Sequence, residues 1–147
     1  MLERNLAPVL LVEDTEEDVD TLHEVLAASG YPHPLVHAES GEQCLALLRG
    51  IGRAPIRPAL ILLDLNSYGL DGRETLTVLK GDPALKDIPV IVLTTSANPQ
   101  DLAFCYQMGV NAYHVKPLRH DDHRLLLGDL LKYWLRSVAL QPAGVPH

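Results

Sequence analysis

The amino-acid sequence predicts a doubly wound α/β fold, with five parallel strands in one sheet and five flanking helices. Short apolar runs alternate along the chain with segments of helical periodicity. The apolar runs are continuous, which is typical of strands buried on both faces. Glycine and proline residues separate the segments. Strands that alternate with helices in this way favour a parallel sheet covered on both faces.

Five strands and five helices are predicted in alternation. Ser40 is suited to cap the second helix, Gly30 ends the first, and Asn98 with Pro99 begins the fourth. The predicted strands are residues 8–12, 34–38, 59–63, 89–93 and 112–115. The predicted helices are residues 18–29, 41–49, 73–80, 99–108 and 121–140.

Length and charge exclude several classes of protein. The chain has 147 residues, which fits one domain over residues 1–140 with a flexible tail at 141–147. A net charge of −7 argues against binding to nucleic acid or to an anionic membrane surface. The apolar runs are too short for a membrane span or a signal peptide. Cys44 and Cys105 form no disulfide framework, and we expect both to pack in the core of a cytoplasmic protein.

Polar residues stand where the predicted strands end. Glu13 and Asp14 follow the first strand, Asp64 follows the third, Thr94 follows the fourth and Lys116 follows the fifth. The carboxyl ends of parallel strands meet at one edge of a sheet, which is where ligands bind in such folds. We therefore expect three carboxylates, a hydroxyl and an ammonium group to converge there.

Such a cluster suits phosphoryl transfer. Three close carboxylates repel one another, and their hard oxygen atoms suit Mg²⁺. Lys116 and Thr94 could contact phosphoryl oxygens, and Asp64 could attack phosphorus to form an aspartyl phosphate.

This pattern resembles the response-regulator receiver domain of two-component signalling, over about residues 8–136. The matching residues are Glu13-Asp14, Asp64 in LLDLN, Asp71-Gly72, Thr94 in VIVLTTS, and Lys116-Pro117. The stretches DLN…DGRE and IPVIVLTTS are most similar to the stand-alone regulators paired with bacterial phytochrome histidine kinases. Ser67-Tyr68 departs from the Leu-Pro that often follows the DLN stretch.

The resemblance implies the flavodoxin-like receiver fold and a role for each matching residue. Asp64 would accept a phosphoryl group from a sensor histidine kinase such as one of the phytochrome type. Lys116 would contact that group, and its peptide bond to Pro117 would be cis. Thr94 and Tyr113 would be the switch residues. The implied Mg²⁺ ligands are Glu13, Asp14, Asp64 and the backbone carbonyl of Asn66.

The resemblance also implies how the protein works. It would catalyse its own Mg²⁺-dependent phosphorylation and dephosphorylation, and would not be an enzyme for a separate substrate. About seven residues follow the last predicted helix, so we expect no attached output domain. Output would then pass through a homodimer or through a downstream partner such as a phosphotransfer protein.

The last predicted helix carries a second apolar stripe at seven-residue spacing, formed by Leu126, Tyr133 and Leu140. One face of the helix is enough to cover the sheet, so the second stripe lacks an internal partner. Exposed apolar stripes usually mark an interface. The stripe predicts a homodimer through this helix.

Three alternative interpretations are weaker. A phosphohydrolase with an aspartyl phosphate would need a second aspartate where Asn66 stands. A flavin-binding domain would need a phosphate-binding loop after the first strand, where acids would repel phosphate. His120 and His123 lie three apart at the start of the last helix, but without a third ligand nearby we expect a solvated helix start, and His33 and His37 are expected at the surface.

Overall fold

The computed structural model describes residues 7–66 and 71–140. The departure at Ser67-Tyr68 and the predicted tail at 141–147 lie outside the described residues. The strands are β1 (Val9–Val12), β2 (Leu35–Ala38), β3 (Leu60–Leu63), β4 (Val90–Thr94) and β5 (Ala112–Val115). The helices are α1 (Glu16–Ser29), α2 (Gly41–Arg49), α3 (Gly72–Gly81), α4 (Pro99–Gln107) and α5 (His120–Lys132), followed by a π-helical turn, Tyr133–Ser137.

All five strands form one parallel sheet in the order β2-β1-β3-β4-β5. β1 lies between β2 and β3, so Leu11 pairs with His37 on one side and with Leu62 on the other. The chain winds outward from β1 in both directions, and the switch point therefore lies where the carboxyl ends of β1 and β3 are adjacent. The predicted doubly wound parallel fold is confirmed.

Each face of the sheet has its own apolar core. Helices α1 and α5 cover one face, and α2, α3 and α4 cover the other. Successive strand residues point to opposite faces, so Leu10 lies in one core and Leu11 in the other. Burying each such side chain contributes about 1.5–3 kcal/mol. Cys44 and Cys105 are fully buried in the core under α2, α3 and α4, as predicted.

The helix ends follow the predicted signals. The Ser40 side chain accepts the N–H of Gln43 at 3.2 Å, and the Asn98 side chain accepts the N–H of Gln100 at 2.9 Å. Gly30 ends α1 with a φ of 73°, a left-handed conformation that glycine adopts without steric cost. The predicted roles of Ser40, Asn98 and Gly30 at helix ends are confirmed.

The prediction that the last helix reaches residue 140 was wrong. After α5 the chain widens into the π-helical turn, which closes when Val138 donates its N–H to the carbonyl of Tyr133 at 2.8 Å. Val138 itself is extended, with a ψ of 134°, and ends the helical geometry. Leu140 therefore lies beyond the helix.

The helices are short. The longest, α1, has 14 residues, and no helix within the described ranges is long and apolar enough to cross a membrane.

Candidate functional site at the carboxyl edge of the sheet

Three carboxylates meet where β1 and β3 end. Glu13 and Asp14 follow β1, and Asp64 follows β3, held there because its N–H donates to the carbonyl of Val12 at 3.1 Å. One carboxylate oxygen from each of the three acids lies within 4.8 Å of the others. Glu13 and Asp64 are buried, whereas Asp14 is exposed. The structure thus brings together the acids that the sequence predicts.

Lys116, just after β5, extends its ammonium group into this cluster. Its Nζ lies 2.7 Å from Glu13 Oε2 and 3.3 Å from Asp64 Oδ2. It also lies 2.9 Å from Asp18 Oδ2, a contact that sequence reasoning missed. The available signal was position, since Asp18 follows Asp14 by one turn at the start of α1. The single ammonium group offsets the repulsion among the acids.

Burial and mutual contact change the pKa values of Glu13 and Lys116 in this cluster. Desolvation raises the pKa of Glu13 from its ordinary 4.5 to about 7, although Lys116 acts in the opposite direction. Burial alone would lower the pKa of Lys116, but the hydrogen bond and charge of Glu13 and the charge of Asp64 raise it above its ordinary value. The ammonium group is therefore charged throughout the physiological range.

This shift predicts a pH-dependent stability for the metal-free protein. The pKa of Glu13 is higher in the folded than in the unfolded protein. The contribution of its protonation to the free energy of unfolding is therefore fully present below pH 4.5 and is lost as pH rises through about 7. The full loss is on the order of 3 kcal/mol. Urea unfolding at several pH values should show a smaller decline between pH 5 and 8 for Glu13→Gln than for the unsubstituted protein. Parallel stability curves would contradict the assignment.

Thr94 and Asn66 connect the acids to the end of β4. Thr94 is fully buried, and its hydroxyl accepts hydrogen bonds at 3.3 Å from the side-chain amide of Asn66 and from the N–H of Ser96. Asn66 also donates its N–H to Asp64 Oδ1 at 3.0 Å. A change at Asp64 can therefore reach Thr94 through one residue. The backbone carbonyl of Asn66 as a metal ligand stays a prediction.

A chain of hydrogen bonds runs from the loop after β4 to α3 and β5. The Tyr113 hydroxyl donates to the carbonyl of Ser96 at 2.9 Å, and Tyr113 is half-buried. The Ser96 hydroxyl donates to Asp101 at 2.6 Å, and Asp101 accepts from Arg73 Nε at 2.8 Å. Hydrogen bonds from Ser96 and Arg73 lower the pKa of Asp101. Because Ser96 lies two residues after Thr94, the predicted switch residues Thr94 and Tyr113 are tied to one loop.

Gly72 brings α3 against the backbone that carries Asp64. Its N–H donates to the carbonyl of Leu65 at 3.1 Å. A Cβ atom at Gly72 would lie 2.4 Å from the Cα of Leu65 and 2.7 Å from the carbonyl oxygen of Asp64. Only glycine permits this approach, since both neighbours are backbone atoms.

The predicted cis bond between Lys116 and Pro117 was wrong, because every peptide bond in the described part of the chain is trans. The trans form of a bond before proline is favoured by about 0.5–1 kcal/mol. With this geometry the N–H of Lys116 still donates to the carbonyl of Thr94 at 2.7 Å. The side chain reaches the acids without a cis bond.

Two of the histidines predicted to be solvated are buried. His123 packs at the start of α5, with Nε2 3.9 Å from Asp18 Oδ1. His33 is also buried, and its Nδ1 lies 2.9 Å from the carbonyl oxygen of Ala7. His120 is exposed, as predicted. Among residues 7–66 and 71–140, the one group of three side chains placed to hold a metal is the acid cluster, so no histidine site competes with it.

The apolar stripe predicted for a dimer is interrupted. Leu126 is half-buried against the core between α1 and α5, and Tyr133 is 57% exposed. Leu140 lies past the π-helical turn and so cannot continue a helical stripe. Dimerisation through the last helix stays a prediction.

Comparison with known proteins agrees with this geometry. The family model of the response regulator receiver domain matches residues 9–127. Response regulator Rcp1 of Synechocystis sp. is 41% identical over 138 residues, covering 92% of this chain and 93% of Rcp1. Two solved structures superpose with a TM-score of 0.87: the phosphorylated cyanobacterial phytochrome response regulator RcpA (39% identity, 91% of this chain, 97% of RcpA) and the Mn²⁺-bound form of response regulator Rcp1 (38% identity, 92% of this chain, 99% of that one).

The fold, the order of the strand-end residues and these matches agree over most of the chain. The resemblance seen in the sequence is confirmed. The chain belongs to the response regulator receiver domain family.

Proposed function

We propose that this receiver domain accepts a phosphoryl group on Asp64 and signals through the resulting change in conformation. The observation that carries the proposal is the position of Asp64, buried at the switch point with Lys116 Nζ 3.3 Å away and two further acids beside it. A carboxylate placed in this way can attack phosphorus while a neighbouring cation offsets the incoming negative charge.

The acid cluster fits a divalent cation. Glu13, Asp14 and Asp64 offer hard oxygen atoms, which Mg²⁺ prefers, and Asn66 could add its backbone carbonyl. The solved Mn²⁺-bound form of Rcp1 supports a divalent ion in this family. When bound, Mg²⁺ would neutralise charge on the phosphoryl oxygens.

The protein's own residues then perform the transfer. An Asp64 oxygen forms a bond to phosphorus as the bond from phosphorus to the donor breaks, and the donor leaves with that electron pair. Lys116 turns from the carboxylate towards a phosphoryl oxygen, and Thr94 donates its hydroxyl to another. Movement of Thr94 carries the loop at Ser96 and so alters the anchor of Tyr113. The same site would catalyse hydrolysis of the mixed anhydride.

The proposed donor is a sensor histidine kinase of the phytochrome type. RcpA, with the same fold and 39% identity, is a cyanobacterial phytochrome response regulator. The protein would act in the cytoplasm and pass the signal to a second copy or to a downstream phosphotransfer protein.

Incubation with Mg²⁺ and acetyl phosphate tests the proposal. Intact mass spectrometry should detect one added phosphoryl group, and chelation of Mg²⁺ should prevent its addition. Hydroxylamine should remove the group, because it cleaves a mixed anhydride but leaves a phosphate ester on serine or threonine intact. A modification that survives hydroxylamine would refute phosphorylation on a carboxylate.

A homodimer through the last helix is the proposed route for part of the output. Leu126, Leu130, Tyr133 and Trp134 line a hollow of about 410 Å³ beside the edge strand β5. Tyr133 stands exposed there, with its ring edge-on to Trp134. A second copy related by a twofold axis would bury this surface.

Analytical ultracentrifugation checks the dimer. We expect a dimer at micromolar concentration that Tyr133→Asp converts to monomer, because the substitution puts a charge in the apolar contact. Tyr106→Asp, an equally exposed tyrosine on α4, is the matched control and should leave the dimer intact. A monomer at all concentrations would exclude this route.

A further inference from the structure

His37 contacts the backbone of the acid pair. It lies on the edge strand β2, and its Nε2 is 2.5 Å from the carbonyl oxygen of Glu13. A carbonyl oxygen can only accept a hydrogen bond, so Nε2 must carry the proton and donate it. The bond crosses from β2 to the point just after β1 where the chain leaves the sheet.

This bond completes the anchoring of the Glu13–Asp14 peptide. Glu13 donates its N–H to the carbonyl of Ala38 at 3.0 Å, as a continuation of the sheet. The N–H of Asp14 is held by Glu13 Oε1 at 3.1 Å. The peptide plane is therefore fixed at its N–H by a side chain of the acid pair and at its carbonyl by His37.

The orientation of that peptide matters most for Asp14. Glu13 is 2% exposed and is also held by Lys116, whereas Asp14 is exposed. The direction of its side chain then depends on the backbone that carries it. A rotation of the Glu13–Asp14 peptide would move the Asp14 carboxylate away from Asp64.

We propose that His37 is a positioning residue for the divalent-cation site: its Nε2–H donor holds the Glu13–Asp14 peptide so that the Asp14 carboxylate stays beside Asp64. The inference rests on the proposed function, since it concerns the cation that the function requires. His37 also lines a hollow of about 510 Å³ together with Asp14, Asp20 and His23.

Magnesium affinity measured by isothermal titration calorimetry tests the inference. Removing a group that orients a metal ligand typically lowers the affinity for the metal by about 10–100-fold. We expect the loss of Mg²⁺ affinity in His37→Phe to lie near the lower end of this range. His37→Gln should bind Mg²⁺ nearly as well as the unsubstituted protein, because its amide can donate from a similar position. His23→Phe is the matched control, since His23 lines the same hollow without a hydrogen bond in the described part of the chain, and it should leave the affinity unchanged.

The phosphorylation rate gives a second, separate readout. With His37→Phe, the Mg²⁺ concentration for half-maximal phosphorylation by acetyl phosphate should rise in proportion to the loss of affinity, while the rate at saturating Mg²⁺ should recover. Circular dichroism checks that each variant is folded. If His37→Phe is unfolded, His37→Ala replaces it in these measurements, because alanine introduces no bulk.

The outcomes separate the inference from the proposed function. Normal Mg²⁺ affinity in both His37→Phe and His37→Ala would overturn the role of His37, as would an equal loss in His37→Gln. If the unsubstituted protein binds no Mg²⁺, or if Asp14→Asn leaves its affinity unchanged, the proposed cation site itself fails.

Discussion

Asp64→Asn is expected to abolish phosphorylation by acetyl phosphate completely. Asparagine keeps the size and shape of the side chain, but its neutral amide is not a nucleophile towards phosphorus. The protein should remain folded, because Lys116 keeps its contacts with Glu13 at 2.7 Å and Asp18 at 2.9 Å, and one of three mutually repelling charges is removed. Intact mass spectrometry in the presence of Mg²⁺ measures the result.

Asp71→Asn is the matched control for this substitution. Asp71 lies near the same edge of the sheet, is exposed, and caps α3 by accepting the N–H of Arg73 at 2.7 Å. Asparagine caps helices as well as aspartate does, so phosphorylation should persist in this variant. A phosphoryl group that still appears on Asp64→Asn would move the acceptor elsewhere and contradict the proposed function.

Gly72→Ala is expected to destabilise the fold and to disturb the phosphoacceptor together. The added Cβ would lie 2.4 Å from the Cα of Leu65 and 2.7 Å from the carbonyl oxygen of Asp64. Both are backbone atoms, so a side-chain rotation cannot relieve the clash. The start of α3 must therefore shift, and overpacking of this kind costs about 1–3 kcal/mol, occasionally more. Urea unfolding measures the loss, and the rate of phosphorylation should fall because Asp64 is carried by the displaced backbone.

Gly81→Ala separates this steric effect from the general effect of glycine in a helix. Gly81 ends the same helix, and a Cβ there would meet nothing within 4 Å. Replacing a helical glycine by alanine in open space typically adds about 0.5–1 kcal/mol of stability. If Gly72→Ala were as stable as Gly81→Ala, the close approach of α3 to the Asp64 backbone would have no energetic importance.

The local pattern was enough to predict the strands and the meeting of their polar ends. Continuous apolar runs gave the five strands, and parallel pairing forces all their carboxyl ends to one edge. Asp64 and Lys116 are 52 residues apart, yet their contact followed from that rule. Capping at Ser40 and Asn98 was also predictable, because a helix start is decided by the few residues around it.

Three predictions failed because the outcome depends on small energy differences or on distant packing, and adjacent residues do not determine either. The isomers of a bond before proline differ by only about 0.5–1 kcal/mol, so the Lys116–Pro117 geometry could not be read from the pair itself. The end of the last helix was misplaced because Val138 breaks the helical pattern without a glycine or proline at that position. The burial of His123 depended on how α5 packs against α1.

The sequence alone determined the order of strands and helices along the chain, the family, and the set of polar residues that share one sheet edge. Apolar runs and helical periodicity are local patterns, and parallel pairing brings the carboxyl ends of all the strands to one edge whichever strands are neighbours. The partners of Asp18 and His37 became visible only in the folded molecule. Asp18 reaches Lys116 because α1 begins at the carboxyl edge of the sheet with Asp18 in its first turn, and His37 reaches Glu13 because β2 pairs with β1 in one particular register. Such contacts join residues 24 and 98 positions apart, and their formation depends on the relative placement of whole elements.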